Sequence, residues 1–248
     1  MKKFALKRRV LIVGEGLETE YNYFVGFRKA FEEELEATAT SVSVARGKGG
    51  NASNIVESAI KEQKKFKPDP KCGDRVFLLL DTEGEGRKPE LPAAEKLAKR
   101  KGIEVVYSCP AFEYWLLCHF PKASRRYFKD CDAVIAELEK KWKKVCKNEY
   151  DKADPDIFDR LADQLPTART QALDIDLHHM KTVDTAIRTN PSTQVYELIG
   201  NLIGVQTSDK CPIQGTWQLI DNAEVTAQLE KGDQIPEHEE DNAHWKLQ

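Results

Sequence analysis

The sequence predicts an α/β fold, a parallel sheet covered by helices, followed by a helical C-terminal region. Strand-like and helix-like patterns alternate through the first half, the order that builds a parallel sheet with crossover helices. The run Val76-Phe77-Leu78-Leu79-Leu80 is continuously apolar, as a strand is when helices cover both of its faces. Acidic residues follow two of the expected strands, at the carboxyl ends where open parallel sheets bind ligands.

The elements follow in order. Val10-Leu11-Ile12-Val13 with Gly14 reads as a buried strand. From residue 17 to about residue 35, Tyr21, Phe24, Val25, Phe27, Phe31 and Leu35 recur at helical spacing. Ser41-Val42-Ser43-Val44-Ala45 alternates as a half-buried strand does. Gly47-Lys48-Gly49-Gly50 breaks the chain, and Asn51 or Ser53 caps a helix to about residue 64, ended by Pro68 and Pro70. Residues 75–80 form the most apolar strand, 90–101 a helix stopped by Gly102, and 103–107 another β-rich run. Pro110 opens a helix bearing Phe112, Trp115, Leu116, Leu117 and Phe120. Helical patterns then cover 132–147, 156–164, 166–186 and 191–203. Beyond residue 205 the periodicity fades, and the acidic stretch 237–242 is expected to be mobile. The expected organisation is an α/β domain at 8–122, a helical region at 123–204 and an extension of unassigned role at 205–248.

Charged residues make up 32% of the 248 and hydrophobic ones 40%, a soluble globular composition. The net charge of −3 supplies no global field toward nucleic acid, so contacts with DNA or RNA must come from local basic clusters. No apolar run approaches the roughly 20 residues of a membrane span, and the run after the basic start is too short for a signal-peptide core. A cytoplasmic location without membrane contact is expected. The six cysteines form no C-x-x-C pair and no zinc spacing with histidine, and are expected to be reduced.

Glu15, just past the first strand, and Asp81 and Glu83, just past the third, are the candidate metal ligands. In extended chain, alternate side chains point the same way, so both carboxylates of Asp81-Thr82-Glu83 can face one cation. Clustered acids need a cation or protons to coexist, and oxygen-only ligands suit Mg²⁺, or Mn²⁺ in its place. Gly14-Glu15-Gly16-Leu17-Glu18-Thr19-Glu20 resembles a dinucleotide turn, but Thr19 holds the third glycine position and an acid separates the first two. No cofactor site is expected there; Glu18 and Glu20 read as acids favouring a helix N-terminus.

Glu113 is an acid in a dense apolar helix, costly unless paired, and is a candidate catalytic group with Glu15, Asp81 and Glu83. It has equal standing as an acid on the helix's open side. His119 reads as structural. Arg46 and Lys48, beside backbone amides of the glycine-rich break, are candidate phosphate contacts, as is Lys152. The lysines at 140–147 around Trp142, interleaved with Glu137 and Glu139, read first as a solvated face and second as a nucleic-acid track. Asp174, Asp176, His178 and His179 form a weak metal-like tract.

Glu15-Gly16-Leu17-Glu18-Thr19-Glu20 with Tyr23-Phe24, Asp81-x-Glu83, and the stretch from Cys109 through Pro110, Phe112, Glu113, Trp115, Leu116, Leu117 and His119 to Phe120 together resemble the RloB-like family. Tyr150-Asp151-Lys152 and Asn190-Pro191-Ser192-Thr193 extend the resemblance over residues 8–203. It implies a TOPRIM-like sheet with one glutamate after the first strand, matched by Glu15, and an acid pair after the third, matched by Asp81 and Glu83. The usual pair is Asp-x-Asp, and this chain has Asp-x-Glu. The resemblance further implies a Mg²⁺-dependent endonuclease of phage-defence loci, often beside an ATPase. A non-catalytic or regulatory partner of such an ATPase is the alternative.

Overall fold

The computed structural model describes residues 7–84, 87, 89–182, 189–206, 211, 214–219, 224–236 and 244–247. The main sheet holds β1 (Arg8–Val13), β2 (Thr40–Ala45), β3 (Arg75–Asp81), β4 (Glu104–Cys109) and β5 (Ser192–Thr193), in the order β2-β1-β3-β4-β5. The first four strands are parallel, and only β5 pairs antiparallel, on β4.

Alternation within β1 and β3 divides the core between two faces. Val10, Ile12, Phe77 and Leu79 pack with Tyr23, Phe24 and Phe27 of α1 (Thr19–Ala30) and with Trp115 and Leu116 of α5 (Glu113–Cys118). Leu11, Val13, Val76, Leu78 and Leu80 pack with α3 (Ala52–Phe66) and α4 (Leu91–Arg100). The Asn51 side chain caps α3 by accepting the Asn54 N–H at 2.9 Å.

The helix expected over 17–35 is divided. Phe31 leaves helical geometry to stack on Phe27, its ring 4.9 Å away, and Glu32, Glu33 and Glu34 begin α2 (Glu32–Ala37), where acids favour a helix N-terminus. The helix after Pro110 is short, confined to α5. Residues 156–164 are turns that end in a 3₁₀ segment, not a helix. Asp154 accepts the Asp156 N–H and binds Arg160, while Ile157, Phe158 and Leu161 supply the apolar spacing by packing into the core. α6 (Cys131–Cys146) and α7 (Leu165–Thr182) follow the sequence pattern closely; the expected residues 183–186 of the third helical segment lie outside the described residues. The helix expected over 191–203 begins only at α8 (Val195–Ile203), because Ser192 and Thr193 pair with β4 as strand β5 instead.

The C-terminal extension carries an antiparallel sheet that its faded periodicity conceals. β6 (Val205–Gln206), β7 (Gly215–Leu219), β8 (Thr226–Leu229) and β9 (His244–Leu247) are ordered β6-β9-β7-β8 around Trp217, Leu219, Ile235 and Trp245. Lys231 fastens this unit to the helices by pairing with Asp176 of α7 and, at 2.8 Å, with Glu197 of α8. The acidic stretch 237–242 lies outside the described residues.

Two turns at the carboxyl end of the sheet are joined through their backbones. Gly47 N–H donates to Gly16 O at 2.9 Å and Gly49 N–H to Glu15 O at 3.0 Å. A Cβ on Gly47 would lie 2.1 Å from Glu15 O and 2.2 Å from Gly14 O, so only glycine permits the approach. Gly47→Ala is expected to destabilise the fold by about 1–3 kcal/mol, read as a lowered midpoint in urea unfolding; an unchanged midpoint would show that the turns can separate freely.

Candidate metal centre in an acidic cleft

The chain passes from β1 to β2 on one side and crosses to β3 on the other, so the loops after β1 and β3 diverge. Such a topological switch point is where open α/β sheets form their binding crevice. Here it opens a cleft of about 460 Å³ that Glu15, Glu20, Lys48, Asp81, Glu83, Glu113, Cys131 and Lys152 help to line.

Glu15 lies two residues beyond β1, and its Oε2 accepts the Asp81 N–H at 2.8 Å. Both of its carboxylate oxygens accept from Arg87 Nη1, each at 2.8 Å. Arg87 is a buried cation, its side chain 5% exposed. It also donates to Asp81 O and Gly50 O and meets Glu83 Oε1 at 2.7 Å. Burial pushes the Glu15 carboxyl up to about 7, against the downward pull of Arg87 and of the Asp81 N–H. Burial, then the nearby Glu15, Glu20 and Glu113, raise Asp81 well above the ordinary carboxylate range. Burial also opposes the charge on Arg87, but Glu15, Glu83 and Asp81 outweigh it and keep the guanidinium protonated.

Glu83 reaches the cleft by a route other than strand alternation. β3 ends at Asp81, and Glu83 adopts a left-handed conformation at φ +49°, its N–H donating to Pro110 O. Glu83 turns to Arg87, while both carboxylates line the cleft. Glu113 points inward: it is buried, with Lys152 Nζ at 2.9 Å and the Tyr150 hydroxyl donating at 3.3 Å, which settles its two readings in favour of a paired interior acid. Burial opposes the Lys152 charge, and Glu113 more than restores it. Lys48 is exposed on the cleft rim.

Arg46 is engaged by neighbours at the edge of the cleft. Its guanidinium donates to Leu17 O at 2.7 Å, lies 3.6 Å from the Tyr21 ring centroid and approaches Glu18. Nor are the amides of the glycine-rich break an open phosphate cradle, because those of Gly47 and Gly49 serve the turn-to-turn bonds. On α6, Trp142 is buried and Lys141 donates to Pro121 O and Lys122 O, so that helix offers no stacking platform. Asp176 serves Tyr196 and Lys231, and His179 Nε2 lies 2.9 Å from Pro191 O; the tract they belong to is structural at these positions. His119 packs against Tyr23 and Trp115, and burial lowers it to about 4.

Glu20 and Arg87 are the members of the site that sequence reasoning did not single out. Glu20 is buried and accepts the Gly16 N–H at 3.4 Å; burial and then Glu113 raise it. Its helix-start position masked it. Arg87 sits in a loop with no pattern, although gathered buried acids themselves call for a cation nearby.

The donor set suits a hard divalent cation: it is all oxygen, and the Asp81 carboxylate takes no hydrogen bond or ion pair from the described residues. Among the described residues no three potential ligands already stand together at metal spacing; Glu15 and Glu83 face Arg87.

Fold and cleft define an α/β protein whose carboxylates line one cleft at the switch point of a mostly parallel sheet. The chain belongs to the RloB-like family: the family model described as RloB-like protein matches residues 10–202, from β1 into α8. No curated protein and no solved structure gives a significant match. Among the described residues no helix is long and apolar enough to cross a membrane.

A raised folded-state pKa gives Glu15 a stabilising contribution present below its unfolded value of about 4.3 and lost as pH rises through about 7. Glu15→Gln lacks that loss. In chelator, the stability of this variant relative to the native chain is expected to improve by about 2–3 kcal/mol between pH 5 and pH 8, measured by denaturant unfolding. A pH-independent difference would show that Glu15 is ionised throughout.

Proposed function

We propose that this protein is a metal-dependent nuclease that hydrolyses phosphodiester bonds in DNA or RNA, with a role in phage defence. The observation that carries the reading is that Glu15, Asp81 and Glu83 line one switch-point cleft, from segments far apart in sequence. Asp81, Glu83 and Glu15 would hold Mg²⁺, or Mn²⁺ in its place. A divalent ion so held polarises a scissile phosphate and lowers the pKa of bound water.

The chain's own residues supply the rest. Lys48 and Lys152 flank the carboxylates and neutralise phosphate charge at the rim, where an anion would otherwise be repelled. Glu113 orients Lys152 and keeps it charged. Glu15, which lies apart from the Asp81–Glu83 segment, would serve as general acid or base where it does not ligate the ion. The defence role, and an ATPase partner, rest on the family resemblance.

Plasmid, single-stranded DNA and tRNA incubated with the purified protein and Mg²⁺, Mn²⁺ or chelator test the reading. Cleavage is expected with metal and not with chelator. Asp81→Asn is expected to lower the rate at least about a hundredfold with the fold intact by circular dichroism. Equal cleavage by Asp81→Asn would reject the site.

A regulatory, non-catalytic subunit of a defence ATPase is the second reading. It is favoured by the saturation of both Glu15 oxygens by Arg87. Metal binding without cleavage of any of these substrates, alone or with the ATPase, would select it.

A further inference from the structure

We propose that Arg87 sets the cation affinity of the cleft: its guanidinium stands in for a divalent ion between Glu15 and Glu83 and has to withdraw before such an ion is held there. The inference rests on the metal reading above and adds to it a residue outside the acidic set. Nη1 engages both Glu15 oxygens and Nη2 engages Glu83, so one charged group bridges the loops after β1 and β3. Those are the two loops a shared metal ion would have to join. Carbonyls of Asp81 and Gly50 accept from the same nitrogens, which anchors the fork at both prongs.

The competition is electrostatic and steric together. Arginine stays protonated at any pH the protein experiences, so the positive charge cannot be shed to make room. A divalent ion entering beside it would meet a like charge at a few ångströms in a partly buried setting, where screening is weak. Carboxylate oxygens already bonded to Nη1 also point toward the guanidinium. Arg87 thus protects the fold when no ion is present, since burial of Glu15 without a counter-charge would be strongly unfavourable, and it lowers the intrinsic affinity by the same interaction. Asp81, which has no such partner among the described residues, is the carboxylate left to make first contact with an incoming ion.

Mn²⁺ titration of the full chain, followed by electron paramagnetic resonance of the free ion, tests this without reference to activity. Arg87→Gln is expected to bind Mn²⁺ at least about tenfold more tightly than the native chain. Arg87→Lys, which keeps the charge but loses the two-pronged reach, is expected to fall between them. Thermal melting in chelator verifies folding; Arg87→Gln is expected to melt lower there and to gain more from Mn²⁺ than the native chain does. If Arg87→Gln fails to fold, the native chain supplies the answer: saturating Mg²⁺ shifts the NMR signals of the Arg87 guanidinium, assigned by their absence in Arg87→Lys. Equal or weaker Mn²⁺ binding by the variants, or unmoved Arg87 signals at saturation, overturns the proposal while leaving the metal reading in place. No Mn²⁺ binding by any form overturns both.

Discussion

Burying several carboxylates in one place is what the rest of this structure has to accommodate. Glu15, Glu20, Asp81 and Glu113 approach one another at the ends of β1 and β3 and at the starts of α1 and α5, and each raises the cost of ionising its neighbours. Isolated charges there would cost far more than a small domain's net stability. The protein meets the cost with two cations on opposite sides of the cluster. Arg87 serves Glu15 and Glu83 from the β3–α4 loop, and Lys152 serves Glu113 from the segment after α6. What remains without a cation partner among the described residues is centred on Asp81, whose carboxyl is held well above the ordinary range by burial and its acidic neighbours.

The sheet's topology makes this gathering possible. Strand order β2-β1-β3-β4 sends successive crossovers to opposite sides of β1, so the loops after β1 and β3 have no helix between them. Apolar alternation in both strands locks their register, Val13 opposite Leu78, and with it the height at which Glu15 and Asp81 leave the sheet. The acids thus stand on a rigid floor with the rim residues above.

Much of this was legible in the sequence, and the failures have physical causes. Continuous apolar runs and their punctuation located β1 to β4 because a strand buried on both faces has few other solutions. Glu15, Asp81 and Glu83 stood out as acids placed just after such strands. Alternation misjudged how Glu83 arrives, because a left-handed turn after Thr82 cannot be read from Asp-Thr-Glu-Gly alone. Residues 156–164 imitated a helix, since turns can bury Ile157, Phe158 and Leu161 as well as a helix can. Arg87 was invisible because ion pairs across 72 positions leave no local pattern. The C-terminal sheet escaped for a related reason: its strands are short and its core depends on Trp217 and Trp245 meeting from distant segments.

The contact between Gly47 and the backbone of Glu15 separates two kinds of position one residue apart. Gly47 is clamped under the neighbouring turn, while Lys48 projects from the same loop into solvent at the mouth of the cleft. Substitution at 47 disturbs the foundation; substitution at 48 changes the rim of the cleft without touching that contact. A protein built this way can diversify the company it keeps at its entrance while its interior geometry stays constant, and position 48 is therefore the natural place to retune selectivity without rebuilding the chamber beneath.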